Sequence, residues 1–133
     1  MKYVLDTNAC IRILKGDSPS MLRSIANISS ENIIIPSIVR FELYYGAYKS
    51  SRPEETLRKL KYFLTAFEHA DLNSHIGEIA GRVRADLERK GMPVGPYDLL
   101  IGATALSLNA VLITHNKKEF SRIPDLVIED WET

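Results

Sequence analysis

Four short apolar runs punctuate the chain, each closed by a polar or helix-breaking residue: Tyr3-Val4-Leu5 before Asp6, Ile33-Ile34-Ile35 before Pro36, Ala110-Val111-Leu112-Ile113 before Thr114, and Leu126-Val127-Ile128 before Glu129. Their β-branched character and their boundaries predict strands. The uninterrupted runs at 33–35 and 110–113 fit a parallel sheet covered on both faces. Between the runs the spacing turns helical. Ile11 and Leu14 lie three apart before Gly16, and Pro19 opens a second helix carrying Met21, Leu22, Ile25 and Ala26, with Ser18 as its cap. Ser37 is expected to cap a helix through about Tyr48, with Ile38, Val39, Glu42, Tyr45 and Gly46 along one stripe. Pro53 begins a helix whose stripe is Leu57, Leu60, Leu64 and Phe67, and Ser74 caps another that runs to about Lys90 with Ile76, Ile79, Ala80, Val83 and Leu87 inward. The rigid loop Gly91-Met92-Pro93-Val94-Gly95-Pro96 delivers Tyr97-Asp98 to a helix reaching Leu106. Asn116 and Glu119 match a capping box for a short helix ending at Phe120. Strands separated by helices predict an α/β fold, a three-layer α/β/α arrangement with a mostly parallel central sheet, over one domain spanning 1–133.

Composition narrows the partners. With 17 Lys plus Arg against 17 Asp plus Glu the formal net charge is zero, which argues against holding nucleic acid by bulk positive charge. A nucleic-acid enzyme stays open, because the distribution of charge matters more than its sum. The single cysteine, Cys10, sits in the first helical run and reads as a buried apolar residue in a reducing compartment. The start of the chain lacks the basic and small-residue pattern of a signal peptide, and no run approaches the roughly 20 apolar residues of a membrane span. A soluble, cytoplasmic protein is expected.

The candidate chemistry lies in acids placed just after strands or at helix starts. Asp6 ends the first strand, where it is equally suited to capping the next helix. Glu42 shares a helix face with apolar residues, unless that helix is turned so that Glu42 meets water. Asp98 stands in a first helical turn, a position that the helix dipole alone would favour. Asn116 follows the strand at 110–113. In a parallel sheet all the strand carboxyl ends share one edge, so these groups can converge there. Like charges so gathered repel and raise one another's pKa, and a hard divalent cation resolves the conflict. The implied chemistry is hydrolysis of a phosphodiester. His69, His75 and His115 lack zinc-site spacing, and neither a Walker loop nor a dinucleotide glycine pattern occurs.

Four segments in order, Val4-Leu5-Asp6-Thr7-Asn8, Phe41-Glu42-Leu43-Tyr44-Tyr45-Gly46-Ala47, Pro93-Val94-Gly95-Pro96-Tyr97-Asp98 with Ile101-Gly102-Ala103, and Ile113-Thr114-His115-Asn116-Lys117-Lys118-Glu119-Phe120, resemble the PIN-domain ribonucleases, and among them the VapC toxins of toxin–antitoxin pairs. The resemblance implies a PIN-like fold and Mg²⁺- or Mn²⁺-dependent endonucleolytic cleavage of RNA, with tRNA as the leading substrate. It implies Asp6 and Asp98 as metal ligands, Glu42 acting directly or through water, and Asn116 where many members carry a fourth acid. The capping of the first helix would then fall to Thr7 or Asn8. Thr7 and Ser37 would supply supporting hydrogen bonds. A VapB-type antitoxin and a homodimer are the implied partners. Arg82, Arg84, Arg89, Lys90, Lys117 and Lys118 flank the site in sequence and are candidate phosphate contacts. Two rivals compete. A phosphatase of the haloacid dehalogenase type needs an acid two residues after its first Asp, where this chain has Asn8. A non-catalytic PIN-like RNA-binding module would have no use for all three of Asp6, Glu42 and Asp98.

Overall fold

The computed structural model describes residues 1–132. Its elements are β1 (Tyr3–Leu5), α1 (Thr7–Lys15), α2 (Pro19–Ala26), β2 (Ile33–Pro36), α3 (Ser37–Lys49), α4 (Pro53–Leu64), β3 (Glu68–Ala70), α5 (Ser74–Arg89), α6 (Pro96–Ser107), β4 (Val111–Ile113), α7 (Lys117–Phe120) and β5 (Ile128–Glu129). The strands form one sheet in the order β3-β2-β1-β4-β5, and every pairing is parallel. Val4 is paired with Ile34 on one side and Leu112 on the other, so β1 lies at the centre. Its Val4 and Leu5 are fully buried, as are Ile33, Ile35 and Leu112 beside them. Two-sided burial is the reason these runs carry no polar alternation.

Strand order decides where a site can form. From β1 the chain steps outward through β2 to β3, then crosses back to β4 on the other flank of β1. Right-handed crossovers therefore place α1 to α4 on one face of the sheet and α5 to α7 on the other. The direction of winding reverses between β1 and β4, and the crevice beyond their carboxyl ends is the favoured ligand position in such sheets. Asp6 and Thr114 occupy those two ends. Among the described residues no helix is long and apolar enough to cross a membrane.

Several boundaries differ from the expectations. The helix predicted to run through Phe67 stops at Leu64, and the chain then adds the edge strand β3. Glu68 and His69 are exposed on that strand, so it carries no apolar run to betray it. Phe67 still packs edge-on against Phe63, with ring centroids 5.0 Å apart. The last strand is Ile128–Glu129, and Val127 is 58% exposed. The cap of α5 is Asn73 rather than Ser74: its side chain accepts the Ile76 N–H at 2.9 Å. Ser37 is the first residue of α3 rather than its cap, and the stripe that α3 buries is Val39, Leu43 and Ala47. Tyr45 and Gly46 accordingly face outward, and Glu42 lies at the margin of the packed face, half-buried.

Candidate active site

Asp6 is 5% exposed and is held by the turn that begins α1. Its Oδ1 accepts the Ala9 N–H at 2.8 Å, so Asp6 caps α1 itself, and the expected transfer of that duty to Thr7 or Asn8 does not occur. A carboxylate has lone pairs enough to cap a helix and still face a crevice. Burial raises the Asp6 pKa, with Glu132 and Glu42 adding to the rise, while the Thr114 side chain and the Ala9 N–H pull it down.

Thr7, freed from capping, donates its hydroxyl hydrogen to Glu42 Oε1 at 2.7 Å. This bond ties the start of α1 to α3 and fixes one oxygen of Glu42. Asp98 enters from the opposite layer, in the first turn of α6. Its pKa is raised to about 6, first by burial and then by the negative charges of Glu119, Asp6 and Glu42. The three predicted acids thus feel one another across the crevice, although they come from three separate helices: Asp6 caps α1, Asp98 stands in the first turn of α6, and Glu42 lies one turn into α3.

Glu119 is the fourth acid of the group and was expected only to serve a capping box. That box does not close. The Asn116 side chain makes no bond to the α7 backbone; instead its Nδ2 donates to Glu119 Oε2 at 3.3 Å. Glu119 Oε1 accepts the Gly95 N–H at 2.8 Å, and the Arg122 guanidinium donates to Pro93 O at 2.7 Å. Together these bonds pin the loop 91–95 to α7 and so set the start of α6, where Asp98 stands. The sequence signal for Glu119 was its place in the same segment as Asn116, three residues on.

The donor set of Asp6, Glu42, Asp98 and Glu119 is all oxygen, which suits a hard divalent cation and not zinc. These carboxylates are spread more widely than a neighbouring mixed trio. Among the described residues, the group of three His, Cys, Asp or Glu whose ligand atoms all lie within 4.8 Å of one another is His115, Asp130 and Glu132. That trio already meets cations: Arg12 Nε stands 3.2 Å from Glu132 and Lys117 Nζ 3.7 Å from Asp130.

Residues 3–126 match the PIN-domain family. The chain belongs to it. It is 42% identical over 131 residues to the tRNA(fMet)-specific endonuclease VapC of Salmonella typhimurium, with 98% of each chain covered. It is 40% identical over 133 residues to ribonuclease VapC2 of Rickettsia felis, with 99% of each covered. Among solved structures, VapBC2 of Rickettsia felis bound to a DNA fragment from its promoter superimposes with a TM-score of 0.92 at 39% identity, covering 98% of this chain and 99% of that one. DNA-bound VapBC of Salmonella typhimurium gives 0.92 at 41% identity, with 98% of each chain covered. The relatives carry ribonuclease names, so the phosphatase reading has no support, and this PIN domain is a VapC-type nuclease.

The other predicted positions scatter. Ser37 stands at the carboxyl ends of β2 and β3, with its hydroxyl bonded on the β3 side. Its hydroxyl meets Ala70 O at 3.2 Å and Asp71 Oδ1 at 3.3 Å, beside His69. Arg82 and Arg89 line a cleft of about 560 Å³ with Asp86 and Asp125, and Leu106 at the far end of α6 closes it. Eight residues of helix, roughly 12 Å, separate Leu106 from Asp98 along α6. Arg84 pairs with Glu88 and Lys90 with Asp86 along α5, each at 3.1 Å. Lys117 reaches Asp130, and Lys118 is exposed. Two cations that the spacing does not single out, Arg12 and Lys15, line a depression of about 460 Å³ with Asn8, His115, Asn116 and Glu132. Cys10 is fully buried, and burial pushes its thiol far up, which makes it inert.

Proposed function

We propose that this chain is the toxin half of a type II toxin–antitoxin pair, a Mg²⁺- or Mn²⁺-dependent endoribonuclease acting in the cytoplasm, with tRNA as the substrate class. The observation that carries the reading is the convergence of Asp6, Glu42, Asp98 and Glu119 from four separate elements on the crevice between β1 and β4, where the other three charges add to burial in raising the Asp98 pKa. Acids gathered at such cost to their own ionisation are a site for a cation. Asp6 and Asp98 are the ligands, with Glu42 held by Thr7 to act directly or through water. Glu119 takes the place of the fourth acid, and Asn116 positions it. When bound, the metal supplies a polarised water and a counter-charge for the phosphate. The protein's own part is to fix the oxygens before the RNA arrives: the Ala9 N–H holds Asp6, the Thr7 hydroxyl holds Glu42, and the Gly95 N–H and Asn116 hold Glu119.

The antitoxin partner fits the opposite side of Glu42. A largely apolar groove of about 390 Å³ runs between α1, α3 and α4, lined by Ile11, Leu14, Leu43, Ala47 and Leu60 with Glu42 at its margin. An amphipathic segment laid there could carry a basic side chain to the acids. The active form is taken to be a homodimer. Purified protein should cleave bulk tRNA with Mg²⁺ or Mn²⁺, lose that activity in chelator, and lose it on Asp98→Asn or Asp6→Asn substitution. Undiminished cleavage by Asp98→Asn protein would overturn the assignment.

A further inference from the structure

Two aromatic rings stand at the rim of the acids without being buried. Phe41 is 50% exposed and Tyr97 is 47% exposed, and they meet edge to face with centroids 5.7 Å apart. Each immediately precedes an acid of the site, Glu42 in α3 and Asp98 in α6. Successive helical residues point about 100° apart, so neither ring shares its acid's direction. The two rings touch each other, so they form one wall, an exposed aromatic pair that joins the turn of α3 carrying Glu42 to the turn of α6 carrying Asp98. The wall continues outward along α3, where Tyr45 and Lys49 follow Phe41 at four-residue steps and Lys49 Nζ sits 5.5 Å above the Tyr45 ring.

Scattered exposed apolar residues need no explanation, but an aromatic pair set beside a catalytic gap does. Aromatic faces followed by a cation are what a single RNA strand engages, bases on the rings and phosphate on the ammonium. Resting on the ribonuclease reading, we infer that Phe41 and Tyr97 form a stacking platform for the base next to the cleaved phosphate, holding that nucleotide unstacked from its neighbours while the acids address its phosphodiester. The adjacency is what selects this base: each ring stands on the helical turn that carries an acid, so the base nearest the phosphate is the one proposed to meet the rings. A second copy of the chain is the rival occupant of this wall.

The test has two arms. In the first, a short single-stranded RNA, mostly uridine with one 2-aminopurine, is titrated with Asp98→Asn protein, with and without Phe41→Ala. Stacking quenches the fluorescent base, so quenching is expected with the parent and should fall away in Phe41→Ala and Tyr97→Ala, while Phe41→Trp and Tyr97→Phe retain it. In the second, cleavage of tRNA is compared in proteins with Asp98 intact. Loss of a stacked base costs about 1–3 kcal/mol, or roughly 5- to 150-fold, and should fall mainly on KM with kcat preserved. Equal quenching by parent and alanine variants would overturn the platform, as would alanine variants whose elution volume changes in proportion to lost activity, which assigns the wall to a second copy. The quenching arm reads the platform whether or not the protein cleaves, so failure of the ribonuclease reading shows separately, as no cleavage by the protein with Asp98 intact.

Discussion

Asp98 should make the metal-free protein less stable as pH rises. Its carboxyl has a pKa of 3.8 in ordinary surroundings and about 6 in the fold. Between those values the folded state binds more protons than the unfolded chain, so stability falls with increasing pH, and the whole penalty is present above pH 6. At 1.36 kcal/mol per pH unit the ceiling is about 3 kcal/mol. Asp98 is only half-buried, and solvent screening reduces this to about 1–2 kcal/mol. Asp98→Asn removes the penalty while keeping the shape of the side chain. The assay is denaturant unfolding in chelator from pH 4 to 8, read as the difference between the two proteins. That difference cancels Asp71 and Asp130, whose lowered pKa values give the opposite slope, with stability lost as pH falls. The variant should be more stable by about 1–2 kcal/mol at pH 7.5, roughly 3–8 °C in Tm for a chain of this length, with the gap closing near pH 4. Mg²⁺ should raise the Tm of the parent more than that of the variant. A variant no more stable than the parent at pH 7.5, or a gap independent of pH, would refute the account of the site as a repulsive cluster awaiting a cation.

Other outcomes follow from the same geometry. Glu119→Gln keeps an acceptor for the Gly95 N–H but removes the largest charge acting on Asp98, so NMR titration should show the Asp98 carboxyl falling toward its ordinary range, with cleavage reduced about tenfold or more. Thr7→Val deletes the 2.7 Å bond to Glu42 and should lower kcat by roughly 5- to 30-fold, at about 1–2 kcal/mol, with little change in Tm. Phe120, which is 1% exposed, anchors α7 to the core. Phe120→Ala should cost about 3–5 kcal/mol in unfolding free energy and weaken cleavage as well, because the short helix carries Glu119.

Much of this protein was legible in its pattern. The runs at 3–5, 33–35 and 110–113 are buried on both faces, and that burial leaves a signal no polar neighbour dilutes. Asp6 and Asp98 are legible because one follows a strand and the other opens a helix, and Glu42 because it lies one turn into the helix after β2, places where local order alone fixes which edge of the sheet they reach. The sequence could not fix matters that depend on contacts distant along the chain. The edge strand β3 is polar and pairs only because β2 offers it a ladder. Ser37 was drawn to the acids by its position after β2, yet its hydroxyl is satisfied by β3, an element that local pattern did not reveal. Glu119 looked like a capping residue, since the capping box is a local motif. Only the return of α6 beside α7 makes its carboxylate accept the Gly95 N–H, 24 residues away, and face Asp98. The strands and the candidate acids were written locally, in hydrophobic spacing and turn position. The tertiary structure decided which acids share a field, because electrostatic coupling depends on distance in space and the chain folds those distances only once.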